Sequence, residues 1–110
     1  VRALHKRLPE THLLLIGILP SERSAWASET TVAVNKGLAA KFGNGQDPRV
    51  TFFDATSLFA PHGRFDRALF YDPLLTPPDP PLHPTAEGMA RLAAAIEPTL
   101  AGLLGDKPHR

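Results

Sequence analysis

The residues best suited to chemistry lie in the stretch Asp72–Ala90, DPLLTPPDPPLHPTAEGMA, where one imidazole, His83, ends a proline-rich run. Six of the chain's 12 prolines fall between Pro73 and Pro84. Proline fixes φ and disfavours the α region in the residue before it, so Leu75–Pro81 is expected to be extended and stiff. Pro84 suits the first turn of a helix, where no backbone N–H is needed, and the last helix is expected to start there. Asp79 stands four residues before His83. An imidazole takes a proton from a hydroxyl near neutral pH when a carboxylate orients its other nitrogen. A lone histidine is more often a surface or helix-capping residue. The pairing with Asp79 on a stiffened loop turns the preference toward an acid–base role.

The other polar candidates are weaker. Ser21, Ser24, Ser28 and Ser57 sit in no nucleophile-like turn, and no Gly-x-Ser-x-Gly occurs. His62 and Asp66 lack the spacing of a metal-ligand pair with His83, so no metal or other cofactor is expected. Asn35 lies on a helix face with Val32, Ala39 and Phe42, which suits a satisfied core amide. His5, His12 and His109 read as solvated, and Arg64, Arg67 and Arg91 as surface charge. Phe65, Phe70 and Tyr71 read as an anchor for the proline loop, with a cleft wall as the alternative.

Around this stretch the chain has an ordinary globular composition. Its 110 residues are 43% hydrophobic and 21% charged, enough for one domain with a core. A net charge of +1, with Lys and Arg scattered, gives no footprint for nucleic acid. There is no cysteine, hence no disulfide, no thiolate nucleophile and no Cys-based zinc site. The longest apolar run, Leu13–Leu19, is too short to span a bilayer.

The elements that must position His83 read as α/β. Val1–Leu8 has Val1, Leu4 and Leu8 on one face and is ended by Pro9. It carries no start signal, as if it began in mid-helix. Leu13–Leu19 is continuously apolar, as in a parallel strand covered on both faces, and Pro20 closes it. After a loop over Ser21–Trp26, a helix capped by Ser24 or Ser28 runs to Phe42, and Gly43-Asn44-Gly45 stops it. Val50–Asp54 is a second short strand. Ala55–Phe70 suggests a helical turn and then a surface excursion through Pro61-His62-Gly63. The last helix carries Met89, Leu92, Ile96, Leu100 and Leu103 on one face, and Pro98 is expected to kink or split it. Right-handed crossovers would make the two strands parallel. Two strands and three helices do not cover a sheet on both faces, which again suggests part of a larger unit.

The segment Asp79-Pro80-Pro81-Leu82-His83-Pro84-Thr85-Ala86-Glu87-Gly88 resembles the last motif block of the SGNH, or GDSL-type, esterases and lipases, which usually reads Asp-x-x-His-Pro-x-x-x-Gly. Upstream, Leu13–Pro20, Asn35-Lys36-Gly37-Leu38 and Val50–Asp54 are similar to later strands and a helix of these hydrolases. The likeness is nearest to the platelet-activating-factor acetylhydrolase-like branch. It implies a three-layer α/β/α sandwich of flavodoxin-like type, with residues 1–110 forming the C-terminal portion of one domain. It implies a Ser–His–Asp esterase in which His83 is the base and Asp79 its orienter. The substrates would be small acyl esters, acetyl groups on carbohydrate among them. Trp26, after the first strand, would border the cleft and offer a stacking platform. Packing on the following helix is the alternative.

Two departures matter. The family spacing would put the carboxylate at Pro80, so either the loop bulges by one residue to bring in Asp79 or the orienter is Asp72 or a backbone carbonyl. The family's Gly-Asp-Ser nucleophile block, and its Gly and Asn oxyanion donors, do not occur here; neither Asn35 nor Asn44 is suitably placed. The serine is therefore expected from an N-terminal portion of the same hydrolase, as a separate chain or otherwise, and this chain alone is not expected to hydrolyse esters. The rival expectation is a non-catalytic α/β module that binds a partner protein through an open sheet edge.

Overall fold

In the computed structural model, residues 1–72 and 81–106 are described. The apolar run Leu13–Leu19 is a strand only over its first half. β1, Leu13–Ile16, pairs in parallel with β2, Val50–Phe53, in register from Leu13↔Val50 to Ile16↔Phe53. The strand stops because Asn35 takes over the next backbone groups. The N–H of Ile18 donates to Asn35 Oδ1 at 2.8 Å, and Asn35 Nδ2 donates to the Ile18 carbonyl at 2.7 Å. Gly17 makes room for this clamp: a Cβ there would lie 3.0 Å from Asn35 Oδ1 and 3.2 Å from Phe52 Cζ.

Side chains of neighbouring strand residues point to opposite faces, which explains the unbroken apolarity of β1. Leu15 faces helix α2, Ala25–Phe42, sharing a cavity of about 620 Å³ with Leu38 and Phe42. Ile16 faces helix α4, Ala86–Leu104, across a groove of about 350 Å³ lined by Met89, Leu92, Ile96 and Leu100. The architecture is mixed α/β, with helices about a small parallel sheet.

α2 begins at Ser24, one of the two expected caps, whose Oγ accepts from the N–H of Ala27 at 3.0 Å. Its inward face follows Ala27, Thr31, Asn35 and Ala39 in steps of four and ends three residues on at Phe42. Val32 is not on it. At 62% exposure Val32 is turned out to solvent, because the clamp on Ile18 fixes which way the helix faces. α1, Arg2–Arg7, buries none of its residues completely, and Val1, Leu4 and Leu8 are exposed. What docks it is His5, which is not solvated: its side chain is 9% exposed and its Nδ1 lies 3.8 Å from Asp47 Oδ2. Arg49 extends this clasp, donating to Asp47 Oδ1 at 3.3 Å and to the Pro9 carbonyl at 3.1 Å.

α4 starts two residues later than Pro84 suggested, and it runs through Pro98 unbroken. Pro98 and Ala94 both lie on the exposed side, so water can reach the carbonyl that the proline leaves without a donor. Gly105, left-handed at φ 69°, closes the helix.

The core gathers where β1 and β2 end. α3, Thr56–Phe59, and two 3₁₀ turns, Pro61–Gly63 and Arg67–Leu69, fold the expected surface excursion back on itself. Ala55, Phe59, Leu69 and Phe70 form the buried cluster, with Leu19, Phe53, Phe65 and Leu92 packed around it. Phe65 stacks on Phe70 at 4.5 Å, and Phe59 lies tilted against Phe70 at 5.3 Å.

Candidate active site

The site is built on that cluster. A two-residue strand, β3 at Phe70–Tyr71, pairs antiparallel with β4 at His83–Pro84, setting Phe70 opposite Pro84 and Tyr71 opposite His83. His83 is thus in a strand, which excludes the helix-capping role. Phe70 is buried, so β3 is fixed by the core, and β4 inherits that position. Leu19 and Phe53, which lead out of β1 and β2, touch the same cluster. The ladder carrying His83 therefore stands at the carboxyl side of the parallel pair, where open α/β sheets place their working loops.

Four residues of His83-Pro84-Thr85-Ala86-Glu87-Gly88 have a structural task. Pro84 continues β4 without needing a donor. Thr85 caps α4, its Oγ1 accepting from the N–H of Gly88 at 3.1 Å, while its own N–H donates to the Leu69 carbonyl at 2.8 Å. Glu87 lies in the first turn, where a carboxylate suits the helix dipole, and pairs with Arg91 at 2.7 Å. Gly88 lies so close to the core that a Cβ would be 2.8 Å from the Leu69 carbonyl oxygen and 3.0 Å from Phe59 Cε1. The spacing His-Pro-x-x-x-Gly is thus the geometry of one strand end, one cap and one close helix–core contact.

His83 itself is exposed, and among the described residues no side chain hydrogen-bonds its ring. Its aromatic neighbour is Tyr71, with ring centroids 6.3 Å apart and planes at 54°. Asp72, one of the two candidate orienters, directly follows Tyr71 and is half-buried. Asp79, the other, lies outside the described residues, as does all of Leu75–Pro81 except Pro81.

Trp26 is not in a loop. It occupies the first turn of α2 and is 75% exposed, so it does not pack on that helix. Capping at Ser24 starts the helix earlier than the Ser21–Trp26 loop reading allowed. Phe65 and Phe70 stack at the core, whereas Tyr71 is half exposed beside His83; the proline loop they were expected to anchor lies outside the described residues. Among the described residues no group of three His, Cys, Asp or Glu is placed to hold a metal ion. No described helix is long and apolar enough to cross a membrane. Sequence reasoning missed the Tyr71–His83 pairing, because two-residue strands carry no period-2 signal.

No protein-family model, no curated protein and no solved structure matches the chain. The likeness to SGNH hydrolases therefore stands on the motif residues alone.

Proposed function

We propose that this chain is the C-terminal portion of an SGNH-type serine esterase acting on small acyl esters, acetylated carbohydrate among them. The observation that carries the reading is His83, exposed at the carboxyl side of a parallel strand pair on a His-Pro-x-x-x-Gly turn locked to the core. In the proposed reaction a serine Oγ, supplied by an N-terminal portion, attacks the acyl carbonyl while His83 takes its proton. The tetrahedral intermediate then collapses as His83 returns that proton to the leaving alkoxide. Water repeats the two steps on the acyl-enzyme, and Asp79 or Asp72 holds the imidazole tautomer. Trp26 is a candidate contact for the sugar or acyl group. α2 and α4, on opposite faces of β1–β2, are read as outer layers of a three-layer sandwich whose remaining strands lie elsewhere.

The edge of β1 is consistent with that reading. The N–H groups of Leu13 and Gly17 donate to Arg49 and Phe53 in and beside β2. In a parallel ladder the groups of Leu14 and Ile16 then point the other way, and among the described residues no strand pairs there. The same edge, with the apolar groove at Ile16, favours a second reading: a non-catalytic module that takes up a partner's strand.

Intact-mass and N-terminal analysis of everything that copurifies separates the two readings, since a fragment with a Gly-Asp-Ser block belongs to the esterase alone. The decisive assay is p-nitrophenyl acetate turnover by the full assembly with and without His83→Ala. Turnover unchanged by that substitution refutes His83 as the base. Asp79→Asn and Asp72→Asn, compared side by side, assign the orienter by whichever causes the sharper loss.

A further inference from the structure

We infer that Tyr71 is a positioning residue for His83, its ring forming the wall against which the imidazole is set. The inference rests on His83 being the base of the proposed esterase, and it adds a residue that the motif does not contain. The β3–β4 ladder is two residue pairs long. Its inner pair, Phe70 and Pro84, is held by the core, where Phe70 stacks on Phe65. Its outer pair is Tyr71 and His83, and by strand alternation Tyr71 turns away from the core, 51% exposed. The two rings lie 6.3 Å apart at 54°, within the range of tilted ring contacts. The Tyr71 ring stands on one side of the imidazole, where it limits rotation about Cα–Cβ and Cβ–Cγ, beside whichever carboxylate holds the tautomer. The positioning is by the ring face and edge rather than by the hydroxyl, so phenylalanine should substitute and smaller or non-aromatic residues should not.

The test uses the full chain carrying Tyr71→Ala or Tyr71→Phe. In proton NMR, with the His83 ring signals identified by their loss in His83→Ala, Tyr71→Ala shifts them and Tyr71→Phe leaves them nearly in place. The His12 signals stay fixed in both. In turnover of p-nitrophenyl acetate by the full assembly, Tyr71→Ala lowers kcat about tenfold with KM unchanged, and Tyr71→Phe restores it. Should the alanine variant unfold, Tyr71→Leu keeps the bulk in the strand without an aromatic ring and serves in its place. His83 signals unmoved by the loss of the ring overturn the inference, and so does a kcat that falls equally in Tyr71→Phe. Turnover indifferent to His83→Ala, with the ring shifts present, overturns the esterase reading and leaves the ring contact standing.

Discussion

Gly88→Ala isolates what the motif glycine does, because the same substitution elsewhere in the chain should have the opposite sign. Alanine in a helix interior is favoured over glycine by about 1 kcal/mol. At Gly37, inside α2, an added Cβ meets nothing within 4 Å, so Gly37→Ala should gain up to that amount. At Gly88 the added carbon would lie 2.8 Å from the Leu69 carbonyl oxygen and 3.0 Å from Phe59 Cε1. Neither neighbour can easily yield. The carbonyl accepts from Thr85 at 2.8 Å, and Phe59 is fully buried. Overpacking of this kind costs about 1–3 kcal/mol, which outweighs the propensity gain and leaves a net loss of up to about 2 kcal/mol. Urea unfolding of the two variants and the parent reads the difference. With a slope of about 1–3 kcal/mol per M, the two midpoints should separate by roughly 1 M and fall on opposite sides of the parent. A Gly88→Ala midpoint at or above that of Gly37→Ala would refute the close-contact account of the motif.

Asn35→Leu removes both partners of Ile18 and leaves its N–H and C=O to whatever water can reach them; a loss of about 1–3 kcal/mol in urea unfolding is expected, and an unchanged midpoint would show that the clamp holds nothing. The Asp47 carboxyl is held below its ordinary pKa of 3.8, first by the backbone N–H of Arg49, then by the Arg49 side chain and by His5. A lowered folded-state pKa contributes stability that is full above 3.8 and is lost as pH falls through the folded value. Asp47→Asn should therefore flatten the acid limb of the stability–pH curve while leaving its neutral-to-alkaline shape alone; an acid limb of unchanged steepness would remove Asp47 from the account.

The elements that the sequence made legible are those with a strong local cause. Ser24, Gly43 and the apolar runs at Leu13 and Val50 each act within a few residues, and the helices and strands they mark are present. What escaped was set by distant partners. His5 looked solvated because its neighbours Leu4 and Lys6 say nothing of Asp47, forty-two residues on, which approaches it only after β1 and β2 pair. Val32 looked inward because apolar spacing cannot foresee that a polar residue, Asn35, sets the face of α2 by reaching Ile18. At the site, the motif placed His83, Pro84 and Gly88 in order along the chain. It did not disclose the strand that receives them, since Phe70–Tyr71 is too short to be read as one.

Different residues set the His83 turn and the outer edge of β1, and on the esterase reading that difference bears on how a second component would act. Among the described residues, the contacts that set the His83 turn are Thr85 to Leu69, Gly88 against Phe59, Pro84 opposite Phe70, and Tyr71 beside the imidazole. The exposed apolar side chains at Ile16, Met89 and Leu100 lie instead along the groove between β1 and α4. A strand added at the outer edge of β1 would take up the backbone groups of Leu14 and Ile16, and none of the described contacts of the turn depends on it. On the esterase reading the partner brings the nucleophile and oxyanion donors to a base already in place. Separating the two components should then abolish turnover while leaving the Tyr71–His83 ring contact intact.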